Sequence, residues 1–134
     1  MKLLLDTHML LWAAAGTLPK DAEKLVLDGE NALYFSAVSI WEIVIKNSLK
    51  RSDFTVDPAE LRRGLLDNQY QELPVTSRHV LAVQDLPHIH KDPFDRMLLA
   101  QARAEGMPLL TSDDALLEYP GPVIFMPGTQ RGFP

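Results

Sequence analysis

The sequence predicts an α/β fold with a mainly parallel five-stranded sheet flanked by helices. Three observations predict it. Five short apolar runs recur along the chain, each too short for a helix. Segments of helical length and periodicity separate them. Two of those segments open on the same Asp-Pro pair, an N-cap followed by proline at the first helical position.

Lys2 to Leu5 is the first strand, a buried apolar run that meets a charge at Asp6. Thr7 to Ala15 reads as a helix ended by Gly16, and Lys20 to Leu27 as a second ended near Gly29. Ala32 to Phe35 is the second strand. A long apolar-rich helix follows, from Ser36 or Val38 to Leu49. Asp57-Pro58 opens a helix to about Asn68, Glu72 to Val75 is the third strand, and Ser77 is expected to cap a short helix to about Gln84. Leu86 to Lys91 reads as a loop. Asp92-Pro93 starts a helix closed by Gly106, with Pro108 just beyond. Leu109 to Thr111 and Val123 to Met126 are the last strands, on either side of a short helix from Asp113 to Glu118. Residues 127–134 read as a loose tail, and the whole chain, 1–134, as one domain.

Composition narrows the classes. Apolar residues make up 46% and charged residues 23%, proportions that build a core rather than a disordered chain. With no cysteine there are no disulfides, zinc ribbons or thiol nucleophiles, which fits a reducing compartment. No apolar run approaches the ~20 residues of a membrane span, and the charge at Asp6 interrupts any signal-peptide core. A cytoplasmic protein is expected. The net charge of −5 argues mildly against nonspecific nucleic-acid binding. Basic residues nevertheless remain in Lys46, Lys50, Arg51, Arg62, Arg63, Arg78, Lys91, Arg96 and Arg103.

Four acids stand where acids are costly. Asp6 closes Leu3-Leu4-Leu5, and Glu42 lies in Ser39-Ile40-Trp41-Glu42-Ile43-Val44. Asp95 lies in Asp92-Pro93-Phe94-Asp95-Arg96-Met97-Leu98, and Asp113 follows Leu109-Leu110-Thr111-Ser112. Burying a carboxylate costs several kcal/mol unless something compensates it. Each acid has a plain local explanation: an i,i+4 pair of Glu42 with Lys46, or a helix-capping role for Asp95 and for Asp113 or Asp114. Those explanations weaken together, because open parallel sheets bind ligands beyond the carboxyl ends of their strands, where Asp6 and Asp113 fall. Converging carboxylates repel unless a cation joins them, and oxygen-only ligation favours Mg²⁺ or Mn²⁺ over zinc. Thr7, Ser39, Thr111 and Ser112 are neighbouring hydroxyls suited to support the acids. Arg96 and Lys46 are candidates to neutralise substrate phosphate or to balance the acids. His8, His88 and His90 show no metal-ligand spacing and are assigned surface or core roles.

These motifs, in order, resemble the PIN-domain nucleases, and in particular the VapC-type toxins of toxin–antitoxin pairs. The resemblance rests on Leu4-Leu5-Asp6-Thr7-His8, Ser39-Ile40-Trp41-Glu42-Ile43, Asp92-Pro93-Phe94-Asp95-Arg96-Met97-Leu98 and Leu110-Thr111-Ser112-Asp113. It implies a PIN-like sheet and a Mg²⁺- or Mn²⁺-dependent endoribonuclease. Asp6, Glu42, Asp95 and Asp113 would be the catalytic and metal-binding acids, with Thr111, Thr7 and Arg96 in support. It also implies a cognate antitoxin, an RNA substrate and a homodimer. Two other readings compete: a structure-specific DNA nuclease, and a non-catalytic module that uses the acids to hold an antitoxin or RNA. Aspartyl-phosphate chemistry is set aside, because it wants a second Asp where His8 stands.

Overall fold

The computed structural model describes residues 1–49 and 56–128 of the chain. Lys50 and Arg51, and residues 129–134 of the expected tail, lie outside it.

Five strands form one parallel sheet: β1 (Lys2–Leu5), β2 (Ala32–Ser36), β3 (Gln71–Leu73), β4 (Leu109–Thr111) and β5 (Val123–Phe125). Their order is β3-β2-β1-β4-β5, with every neighbouring pair parallel. The chain builds outward from β1 to β3 and then crosses back to place β4 on the other flank of β1. The order therefore reverses between β1 and β4, and the crevice of such a sheet opens at that point.

Strand alternation assigns side chains to two cores. Leu3, Leu5, Leu33, Phe35 and Leu110 pack on one face with Met9 and Leu10 of α1 (Thr7–Ala15), Ala22 of α2 (Lys20–Leu27), and Leu61 and Leu65 of α4 (Pro58–Asp67). Leu4, Leu73 and Leu109 pack on the other with Leu98, Leu99 and Ala102 of α6 (Pro93–Glu105). Each such buried leucine contributes about 1.5–3 kcal/mol. The helix α3 (Ala37–Ser48) serves both faces, giving Ile43 to the first core and Val38 to the second.

Local chemistry sets the helix ends. Asp57 and Asp92 cap α4 and α6 as the Asp-Pro pairs predict, each accepting two backbone N–H groups. Gly16 and Gly106 end α1 and α6 at φ of 74° and 68°, a left-handed backbone that costs glycine little. Two expectations need correction. The helix α5 (Ser77–Val83) is capped by Thr76, not Ser77, because His79 supplies the reciprocal bond of a capping box. The expected helix from Asp113 is a 3-10 helix over Asp114–Glu118, with Asp113 outside it as the cap.

Candidate metal centre

Asp6 is held where β1 and β4 lie side by side. Its backbone N–H bonds to the carbonyl of Leu110, which continues the strand pairing one residue past β1. Its carboxylate then divides its work. Oδ1 caps α1 by accepting from the N–H of Met9 at 2.9 Å, and Oδ2 accepts from the hydroxyl of Thr111 at 2.5 Å. Burial raises the Asp6 carboxyl from its ordinary range. The Thr111 and Met9 bonds and the nearby His8 oppose that rise, and Glu42 adds to it.

Glu42 arrives from α3, whose start at the end of β2 is fixed by the Ser36 cap on Val38. Its Oε1 accepts from the Thr7 hydroxyl at 2.7 Å, and Thr7 also contacts the Ser39 hydroxyl at 2.9 Å. Its Oε2 meets Lys46 at 2.7 Å. The local ion pair and the convergence on the sheet edge thus coexist, with Glu42 only 5% exposed rather than on a solvated strip.

At Asp95 the capping explanation gives way. The Asp92 carboxylate takes both the Phe94 and Asp95 N–H groups, so the Asp95 side chain is left free of the helix end. Burial, reinforced by the charges of Asp92, Asp6 and Glu42 and partly offset by His90, pushes this carboxyl up to about 7. Acids from the end of β1, from α3 and from α6 therefore share one electrostatic environment.

Asp113 sits just past β4. Its N–H donates to the Thr111 hydroxyl at 3.0 Å, and its Oδ1 caps the 3-10 helix through Ala115. Its Oδ2 lies 2.9 Å from His90 Nε2. Asp113, rather than the exposed Asp114, is the acid drawn into this group.

Sequence reasoning set His90 aside, yet its Nε2 stands 2.9 Å from Asp113 and 3.2 Å from Asp95. His90, Asp95 and Asp113 offer ligand atoms within 4.8 Å of one another. The Asp92 N–H donates to His90 Nδ1 at 3.2 Å, which places the ring proton of a neutral imidazole on Nε2. Burial disfavours a second proton on the ring, but the Asp113 hydrogen bond and the charges of Asp95, Asp113 and Asp92 outweigh it and raise the imidazole above its ordinary value. The signal in the sequence was His90's place two residues before the helix-capping Asp92.

Arg96 is placed differently from expectation. Its guanidinium donates to the carbonyls of Pro87, Val83 and Leu86 and to the Tyr119 hydroxyl. It ties down the 83–87 turn rather than balancing the acids. Ser112 is half-buried beside Asp113. His8 stacks on Trp12 at 5.9 Å between ring centroids.

The donor set fits a hard divalent cation. Hydroxyls, backbone N–H groups and one lysine satisfy part of the acid array, while Asp95 keeps an excess of negative charge around it.

Fold and site together define an α/β protein with an acidic centre at the switch point of a parallel sheet. A model of the PIN domain matches residues 3–122, and the chain belongs to that family. No curated protein matches it in sequence. The fold is similar to that of VapBC2 from Rickettsia felis bound to a DNA fragment from its promoter, with 13% identity, a TM-score of 0.69 and coverage of 96% of this chain and 100% of that one. It is also similar to DNA-bound VapBC from Salmonella typhimurium, with 14% identity, a TM-score of 0.67 and coverage of 93% and 98%. A toxin–antitoxin complex from Klebsiella pneumoniae is similar at 15% identity and a TM-score of 0.59, with coverage of 91% and 95%. Among the described residues, no helix is long and apolar enough to cross a membrane.

Proposed function

We propose that this chain is a divalent-metal-dependent endoribonuclease and the toxin of a toxin–antitoxin pair, with Asp6, Glu42, Asp95 and Asp113 as its metal ligands. The observation that carries this reading is geometric: Asp95 and Asp113 meet at His90 with ligand atoms within 4.8 Å of one another, the Thr111 hydroxyl joins Asp113 to Asp6, and Asp95 is left among the like charges of Asp92, Asp6 and Glu42. A protein that retains such repulsion in its folded state has a use for a cation there. When bound, Mg²⁺ or Mn²⁺ would polarise the phosphodiester and neutralise charge developing on it.

The chain's own residues do the rest. Thr111 and the Met9 N–H fix the Asp6 carboxylate, and Thr7 with Lys46 fixes that of Glu42, so two ligands are oriented before any ion or substrate arrives. Lys46, half-exposed one helical turn from Glu42 and paired with it, would bring positive charge close to a phosphate bound at this centre. Similarity to toxin–antitoxin complexes supports a small protein antitoxin as partner, and the homodimer and cytoplasmic location belong to the same reading.

The test is cleavage of end-labelled single-stranded RNA and of the matching DNA. Wild-type protein with Mg²⁺ should cut the RNA, and excess EDTA or Asp6→Asn should abolish the cut. Undiminished cleavage by Asp6→Asn would sink the assignment. Preferential cutting of DNA would move the chain to the DNA-nuclease reading, and metal binding without turnover would support the binding module.

A further inference from the structure

We propose that His90 is a positioning residue that clamps Asp113 against Asp95, so that the fourth acid reaches the ion-binding centre. This rests on the metal site of the proposed function, but concerns a residue which that reading does not use.

Asp113 needs such a clamp. Asp6 is fixed by Thr111 and Met9 and Glu42 by Thr7 and Lys46, each in a buried setting. The Asp113 side chain is 37% exposed, and its Oδ1 is already committed to capping Ala115. His90 Nε2 alone ties its Oδ2 to another acid of the centre, bridging 2.9 Å to Asp113 and 3.2 Å to Asp95 Oδ2 among the described residues.

His90 is itself held at its ring and at its backbone. Asp92 N–H occupies Nδ1 at 3.2 Å, which fixes the ring's orientation and leaves Nε2–H as the donor. The backbone N–H of His90 donates to the Tyr119 hydroxyl at 2.6 Å. That hydroxyl also accepts from Arg96 at 3.1 Å, and Arg96 is anchored on the carbonyls of Val83, Leu86 and Pro87. Arg96, Tyr119 and Asp92 thus form a frame behind the imidazole. Because the same ring cannot accept from Asp92 at Nδ1 and carry a free lone pair on Nε2 while neutral, this geometry makes His90 a donor to the acids rather than a ligand of the ion.

The experiment is calorimetric titration of metal-free protein with MnCl₂ and, separately, MgCl₂, with folding checked by circular dichroism. His90→Ala should weaken both ions about tenfold, the size of effect typical for partners that orient metal ligands. His90→Gln, whose amide N–H₂ reaches the position of Nε2, should recover most of the loss. If the alanine variant does not fold, Tyr119→Phe carries the test, with a smaller loss for both ions, since it removes only the hydroxyl behind the ring. Unchanged affinity in His90→Ala or Tyr119→Phe overturns the proposal. So does tighter binding in His90→Ala, which would make the ring a competitor of the ion. A loss much larger for Mn²⁺ than for Mg²⁺, with no recovery by glutamine, would make His90 a direct ligand and also overturn it. Absence of ion binding by the wild-type protein would instead defeat the metal-site reading itself.

Discussion

His79 and His90 are built alike and stand near opposite ends of α6. In each, Nδ1 accepts a backbone N–H, from Thr76 at 3.1 Å and from Asp92 at 3.2 Å. Each turns Nε2 toward carboxylate, His79 to Glu105 at 2.7 Å and His90 to Asp113 at 2.9 Å. What surrounds them differs. Glu105 has His79 and Arg78 on it, and its carboxyl is lowered, chiefly by the His79 hydrogen bond. Asp95 shares one imidazole with Asp113 and faces Asp92, Asp6 and Glu42, and its carboxyl rises to about 7. One end of the helix is a closed ion pair that staples α5 to α6. The other has a surplus of negative charge, and a surplus is what a cation would complete. The same side chain therefore reads as structural or functional only through the charge balance around it.

The sharpest break of this comparison is Asp95→Asn. A carboxyl raised from 3.8 in the unfolded chain to about 7 in the fold stabilises the metal-free protein fully below the lower value. That contribution is lost as pH rises through about 7, an effect of up to ~4 kcal/mol at ~1.4 kcal/mol per pKa unit. In EDTA at pH 8, the asparagine variant should resist urea better than wild type, and at pH 5 the gap should shrink. Excess Mg²⁺ should reverse the ranking, because the variant lacks a ligand, and RNA cleavage should fall at least about a hundredfold, beyond what outer partners alone cost. A variant less stable than wild type at pH 8 in EDTA would mean that Asp95 is satisfied by local partners, as Glu105 is.

Much of this was legible in the chain. Apolar runs bounded by Asp6 and by Thr111 gave the strands, and the Asp-Pro pairs gave the starts of α4 and α6, because both signals act over a few residues. The convergence of Asp6 and Asp113 followed from strand ends in a parallel sheet. His90 was not legible, since its role depends on a loop folding back over Asp113, more than twenty residues away. The direction Arg96 takes was not legible for the same reason: beside Asp95 in sequence, it points along the helix side that meets the 83–87 turn and Tyr119. Thr76 displaced Ser77 as the cap because His79, three residues on, could return the bond. Helical neighbours share a segment, not a direction, and a sequence fixes directions only where a core or a partner is already placed.

A smaller test sharpens the other pole. His79 is 1% exposed and accepts the Thr76 N–H while meeting Glu105, so His79→Ala removes both bonds along with a buried side chain. The expected cost is about 1–3 kcal/mol in urea unfolding at pH 7. Mn²⁺ affinity should stay at the wild-type value, in contrast to His90→Ala. Loss of ion binding in His79→Ala would show that the two ends of α6 are coupled, and the division between staple and metal centre would fail.

The smallest effect belongs to Glu105→Gln. The Glu105 carboxyl is lowered from its ordinary 4.5, first by the His79 hydrogen bond and then by Arg78. A lowered carboxyl contributes stability that is present above the unfolded value and is lost as pH falls through the folded one. Wild-type protein should therefore lose stability below about pH 4.5 through this group, and the glutamine variant should show a flatter acid limb in thermal melts. The side chain is 30% exposed, so solvent screening keeps the difference modest. Glutamine can still accept from His79, so cleavage and ion affinity at neutral pH should be unchanged. An acid limb identical to that of wild type would mean that the staple acts through packing alone. The imidazole–carboxylate bond would then matter energetically only where an acid has no other satisfaction, at His90.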